Sequence, residues 1–142
     1  MTNENNLERF IGAQEKTYAT ALMEIKKGRK QSHWMWYIFP QVQGLGLSET
    51  SKRYAIRDLD EAQDFLQHPL LGNRLVAICE ALLTLPGNDA HAIFGSPDDL
   101  KLRSSMTLFS SVDNSNAVFK SVLDKFFKGA KDAKTLQLIQ PV

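Results

Sequence analysis

In the stretch SHWMWYIFPQ, residues 32 to 41, a histidine and two tryptophans occupy positions 33, 34 and 36. Indole and imidazole rings can stack on a flat ligand and hydrogen-bond its edge, as a nucleobase or a nicotinamide ring requires. Four basic residues, Lys26, Lys27, Arg29 and Lys30, stand just before them and could neutralise a phosphate on the same ligand. On this reading Trp34 and Trp36 stack and Lys30 adds charge. His33 is the candidate general acid or base, because an unperturbed imidazole titrates near neutrality. The plainer alternative makes the aromatics core, with His33 bound to backbone and the lysines closing a helix. Burying several polar tips without dedicated partners costs about 1–3 kcal/mol each, which keeps the ligand reading open.

A second constellation is KLRSSMT, residues 101 to 107. On a helix Lys101, Ser104 and Ser105 share a flank, and Thr107 adds another hydroxyl. Lys101 would supply charge, and the three hydroxyls would bind a ribose or phosphate. A lysine one turn from a serine can also serve as its base, but no oxyanion hole is evident for such a hydrolase. Small serines that let helices approach closely are the structural alternative. Asp98 and Asp99 fill the positive end of this helix, which argues against a phosphate there.

Other signatures are absent. GLGLS, residues 44 to 48, lacks the third glycine and the preceding strand of a dinucleotide fingerprint, and there is no phosphate loop, GxSxG or HExxH. The single cysteine, Cys79, lies in an apolar helical row and reads as an inert core thiol. Histidines at 33, 68 and 91 have no zinc spacing, so neither a metal nor a cofactor is expected. His68 and His91 read as local structural residues. Asp60, Glu61 and Asp64 read as a solvated acidic helix face.

The elements that must position these residues are helical. Leu7, Phe10, Ile11, Gln14, Tyr18, Ala21, Leu22 and Ile25 share one face of a first helix capped by Asn6 and ended at Gly28. Asp58 or Asp60 opens a short helix that stops near His68-Pro69. The next helix, with Leu71, Leu75, Ile78 and Leu82 beside Val76, Cys79 and Leu83, has the broadest apolar face and should be central. A short helix from Asp89 closes at Gly95. Ser96 then caps a helix with Pro97 in its first position. Asn114 or Ser115 begins a last long helix ended by Gly129, and the tail can add a final turn. Around the aromatics, Pro40 disfavours helical geometry at Phe39, so a helix begun by Ser32 should end by Ile38. QVQGLGLS then reads as a glycine loop forming one wall of a pocket. The fold class is all-α: one compact domain over residues 1–142, six to seven helices in an irregular orthogonal bundle, with residues 1–5 a disordered tail.

The 142 residues, 43% hydrophobic and 23% charged, suit a domain with a real core. No apolar run approaches the roughly 20 residues that span a bilayer, and MTNENN lacks the features of a secretory signal, so the expected location is cytoplasmic. The net charge of +1 is unevenly spread. Residues 1–57 carry 9 basic and 5 acidic side chains, residues 58–99 carry 1 and 8, and residues 100–142 carry 7 and 3. If the two ends meet, they could share a positive face around an anionic ligand. Nothing resembles the basic stripe of a dedicated nucleic-acid binder.

HWMWYIFPQ, GLGLS, YAI, HPLLGNRL, IFGSPDDLKLRSSMTLF and a phenylalanine-rich last helix together resemble a bacterial family known only as a domain of unknown function. Some of its members carry the label calpastatin. The resemblance runs from about Leu7 to Thr135 and implies a compact helical fold and an intracellular bacterial setting, with no activity attached. A more distant likeness, tied to no particular residues, is to helical proteins that handle NAD and ADP-ribose derivatives. The expected function is therefore binding of a small planar anionic metabolite, nucleotide-like, with glycosidic-bond hydrolysis as its enzymatic extension. The alternative is a protein–protein interaction module without chemistry.

Overall fold

The computed structural model describes residues 6–140; the expected N-terminal tail, residues 1–5, lies outside them. Among the described residues there are ten helices and no strand: α1 (Glu8–Glu15), α2 (Tyr18–Lys26), α3 (Met35–Ile38), α4 (Glu49–Arg53), α5 (Leu59–Gln67), α6 (Pro69–Thr84), α7 (Ala90–Phe94), α8 (Asp98–Ser110), α9 (Val118–Phe127) and α10 (Ala133–Ile139). The all-α class stands, and the count of six or seven is corrected to ten.

The extra helices have local causes. The expected first helix breaks at Thr17, whose φ of −122° leaves helical geometry while its hydroxyl donates to the Ala13 carbonyl at 2.7 Å. Such back-bonding competes with the helical ladder. Helix α4 forms because Ser48 accepts from the Ser51 N–H at 3.1 Å, with Glu49 in the first turn and Lys52 and Arg53 in the last. It has no fully buried residue, so no apolar stripe advertises it.

Capping elsewhere largely follows residue type. Asp58 accepts from Glu61 N–H, and His68 Nδ1 accepts from the N–H groups of Leu70 and Leu71 ahead of Pro69. Asp89 caps α7, which Gly95 closes at φ 73°. Four starts differ from expectation, the first being α3, which begins at Met35 after Trp34 rather than at Ser32. Asn6 is not the cap of α1, Pro97 rather than Ser96 is the cap residue of α8, and α9 begins at Val118 with Asn116 accepting its N–H.

Helix α6 packs on α9, α5, α2 and α1, while α8 packs on α9, α10, α7 and α5, so two helices share the centre. Lys125 on α9 reaches back to the carbonyls of Leu82, Leu83 and Leu85, satisfying the end of α6. Buried rings run from Phe10 through Phe65 and Phe109 to Phe119 at centroid separations of 5.1, 5.4 and 5.8 Å. Cys79 Sγ lies in the core 3.7 Å from Met106 Sδ, and burial pushes its thiol pKa well up.

Of the expected solvated acidic face, Asp60 and Asp64 are exposed but Glu61 is not. It is 2% exposed and receives the Arg9 guanidinium on both oxygens, at 3.1 and 3.3 Å, together with the Arg57 N–H at 2.7 Å. Arg9 also donates to the carbonyls of Arg53 and Ala55. One buried acid thus ties α1, the chain after α4 and α5 together, as the pairing of buried charge demands.

Candidate functional site

The aromatic stretch runs along the core with two indoles facing different surroundings. Met35, Ile38 and Phe39 are buried and fix α3, which ends at Ile38 before Pro40 as expected. Trp34, the residue just before α3, points inward and is 0% exposed. Its Nε1–H donates to Glu24 Oε1 at 2.8 Å. The same carboxylate accepts from the N–H of Gln31 at 2.8 Å and of Ser32 at 3.0 Å, and from the Ser32 hydroxyl at 2.6 Å. Burial alone would raise the Glu24 pKa. The hydrogen bonds from Ser32, Gln31 and Trp34 outweigh it and hold the carboxyl at about 2.

That arrangement corrects the stacking role expected of Trp34, which has no face left for a ligand. Sequence reasoning missed Glu24, although an acid three residues after Ala21 and one before Ile25 sits on the apolar face of α2. The indole that needed a partner and the acid that needed donors satisfy each other.

Trp36 is half-buried and lines a cleft of about 360 Å³ with Val42, Gly46, Leu47, Lys52 and Tyr54. The far wall is the glycine loop. Its ends are fastened by a parallel bridge between Val42 and Ile56, with Gln43 N–H donating to the Ile56 carbonyl and Ile56 N–H to that of Gln41, both at 2.8 Å. Gly44 takes φ 105°, and a Cβ on Gly46 would fall 2.4 Å from that of Ser51. Only glycine fits both demands.

Gln41, Gly46 and Ser51 also line a second cleft of about 240 Å³, which continues to Lys101 and Ser104 of α8 and to Asp132 before α10. The two clefts are neighbours across that shared partition. Lys101 Nζ stands 5.4 Å from the Trp36 ring centroid and 3.4 Å from Asp98. Asp98 also takes Lys30 at 2.9 Å. Two ammonium groups therefore share one carboxylate, leaving a positive charge beside an aromatic face.

The remaining expected site residues separate. His33 is exposed and lines neither cleft. The Lys30 side chain is mostly buried in its ion pair, over the Trp34 ring. Ser104 lines the second cleft, whereas Ser105 and Thr107 face the interior. Thr107 donates to the Arg103 carbonyl and accepts from Asp132 N–H at 2.9 Å, and the Ser105 hydroxyl has no partner. The expected site thus contracts to Trp36, Lys101 and Ser104. Among the described residues no His, Cys, Asp and Glu side chains cluster as metal ligands, and no helix is long and apolar enough to cross a membrane.

The sequence profile of the protein family of unknown function DUF1810 matches residues 4–139. The chain belongs to this family. A search of curated proteins finds no match for this DUF1810 chain. Among solved structures it is similar to the conserved hypothetical protein Rv1873 from Mycobacterium tuberculosis, whose crystal structure was determined at 1.38 Å. The identity is 43% and the TM-score 0.95, with 99% of this chain and 100% of that one covered. The DUF1810 fold is thus shared closely across the two proteins, and neither description carries an activity.

Proposed function

We propose that this bacterial, cytoplasmic protein binds a small planar anionic metabolite, nucleotide-like in character, in the paired clefts between the glycine loop and α8. The observation that carries this reading is the Lys30–Asp98–Lys101 triad, with Lys101 beside the Trp36 ring. An uncompensated ammonium attracts an anion, and the adjacent indole offers a flat apolar partner for a ring. Lys52, which also lines the larger cleft, adds a second charge. The function proposed is binding rather than glycosidic-bond hydrolysis. Such hydrolysis ordinarily uses two carboxyl groups, and among the described residues Asp132 is the one carboxylate lining the clefts.

The test is a thermal-shift titration with the four nucleoside 5′-monophosphates. A ligand at 100 times its Kd should raise Tm by several degrees, from about 2.7 kcal/mol of linkage. Lys101→Gln and Trp36→Ala should each weaken binding by roughly tenfold while remaining folded. No shift with any of the four sinks this reading.

An interaction module without chemistry is the second reading, favoured by one feature. Leu47, 85% exposed, and Leu100, 51% exposed, line the two clefts, and Leu138 rests on Gly44 close by. Apolar side chains gathered at a groove suit a protein partner as well as a ring. Leu47→Ser with Leu100→Ser should abolish capture of a protein partner, whereas Lys101→Gln should weaken nucleotide shifts and leave such capture in place, which separates the two.

A further inference from the structure

Asp132 stands at the end of the second cleft with its two carboxylate oxygens unequally used. Oδ2 accepts from both the N–H and the hydroxyl of Thr135, capping α10. Oδ1 has the Arg103 guanidinium at 3.6 Å, and the Ser104 hydroxyl also bonds this carboxyl, which with about four lone-pair sites can still accept further hydrogen bonds. It belongs to a cleft-lining residue with 18% of its side chain exposed. Burial would raise the Asp132 pKa, but Thr135, Arg103 and Ser104 together hold it below the usual carboxylate range. The group is therefore an anionic acceptor at neutral pH.

Two further groups converge on the same space. Ser104 lies three residues along α8 from Lys101, an axial rise of roughly 4.5 Å, and lines the cleft, its hydroxyl donating to the Leu100 carbonyl at 3.2 Å. Gln41, in the partition between the clefts, uses its backbone carbonyl to accept from Ile56 N–H, while its carboxamide has no partner within the described chain. Beside the Lys101 ammonium, which suits the ligand's anionic group, this cleft offers a carboxylate, a hydroxyl and a carboxamide. They suit a donor-rich ligand with neighbouring hydroxyls. A carboxylate accepting from adjacent sugar hydroxyls is a general device of nucleotide recognition. Lys101 borders this cleft and also stands 5.4 Å from the Trp36 ring centroid, so one residue joins the ring-binding wall to the cleft that Asp132 lines.

We infer that the second cleft is a diol subsite, in which Asp132 accepts hydrogen bonds from the vicinal hydroxyls of a sugar whose attached ring lies along Trp36, with Ser104 and Gln41 completing the contacts. This rests on the planar-anion reading of the larger cleft and specifies its ligand as a ribose-bearing one. A site built to hydrogen-bond a hydroxyl discriminates strongly against an analogue lacking it, because the site's polar groups are left unpaired.

The experiment compares each of the four ribonucleoside 5′-monophosphates with its 2′,3′-dideoxy counterpart, by calorimetric titration of the full chain. The expected result is at least a tenfold preference for a ribonucleotide. That preference should fall below about twofold in Asp132→Asn and shrink in Ser104→Ala. Asparagine retains a helix-capping acceptor, so Asp132→Asn should keep α10, and circular dichroism checks that it does. Equal binding of ribo and dideoxy forms overturns the diol subsite and leaves the planar-anion reading standing. Discrimination that survives in both variants also overturns it, and no binding of any nucleotide overturns both readings.

Discussion

Trp34 and Trp36 are two positions apart in one aromatic stretch, yet they meet opposite surroundings. Trp34 is sealed in the core with its indole N–H held by Glu24. Trp36 lines a cleft, beside the Lys101 ammonium on the neighbouring helix. The distinction lies in where the polar tip finds its partner. An indole whose N–H is met by a buried acid is part of the architecture, and that acid is then committed as well. An indole left at a cleft edge, next to a charge shared unequally between two lysines and one aspartate, is available to something else. Aromatic content alone does not mark a site; the partners of the polar tips do.

The largest effect should come from cutting the Trp34 side of that contrast. Glu24→Ala would leave Gln31 N–H, Ser32 N–H and Trp34 Nε1–H without their shared acceptor. The expected loss is about 3–4 kcal/mol in urea denaturation, a large part of a domain's stability. The same carboxyl predicts the acid limb. Its folded pKa of about 2 lies below the ordinary 4.5, so its contribution is fully present above pH 4.5 and is lost as pH falls towards 2. The amount is on the order of 3 kcal/mol. Asp58 and Asp132, also lowered, act in the same direction. Denaturation midpoints measured from pH 7 to pH 2 should fall much less steeply in Glu24→Ala. An unchanged slope would mean that another group carries the acid limb.

A paired substitution sharpens the comparison at intermediate size. Trp34→Phe keeps most of the ring but removes the donor from Glu24, and should cost about 1–3 kcal/mol. Trp36→Phe removes no side-chain hydrogen bond made among the described residues, and should cost less than about 1 kcal/mol. Equal losses in chemical denaturation would show that both indoles are structural, removing the basis for treating the cleft as a binding wall.

Much of this helical frame was legible because its signals are local. Asp58 as a cap, Pro69 after His68, Gly95 closing α7 and the apolar face of α6 all follow from residue type and spacing. What was not legible depends on contacts distant in sequence. Glu61 reads as surface beside Asp60 and Asp64, and only the arrival of Arg9, 52 residues earlier, makes its burial possible. The break at Thr17 and the polar helix α4 leave no imprint on apolar periodicity. The stretch from Lys101 to Thr107 could be placed on a helix, but not rotated. The packing of α8 against α9, α10, α7 and α5 decides that Ser104 meets the cleft while Ser105 and Thr107 turn inward.

Ser105 supplies the smallest effect and a control on the argument from polar tips. It is 0% exposed, and its hydroxyl has no hydrogen-bond partner, unlike Ser104, which donates to the Leu100 carbonyl at 3.2 Å. A buried hydroxyl without a partner is a net cost, so Ser105→Ala should be neutral or raise stability by about 0.5–1 kcal/mol in urea denaturation, leaving any cleft binding unchanged. A loss above roughly 1 kcal/mol would mean that the hydroxyl has a partner, such as an ordered water, in the folded protein. The same test would then bear on Trp36, because both assignments infer a residue's role from whether its polar atom is already satisfied. A stabilising Ser105→Ala beside a costly Trp34→Phe would show that satisfaction of polar tips, rather than burial alone, separates structural residues in this fold from those free to serve a ligand.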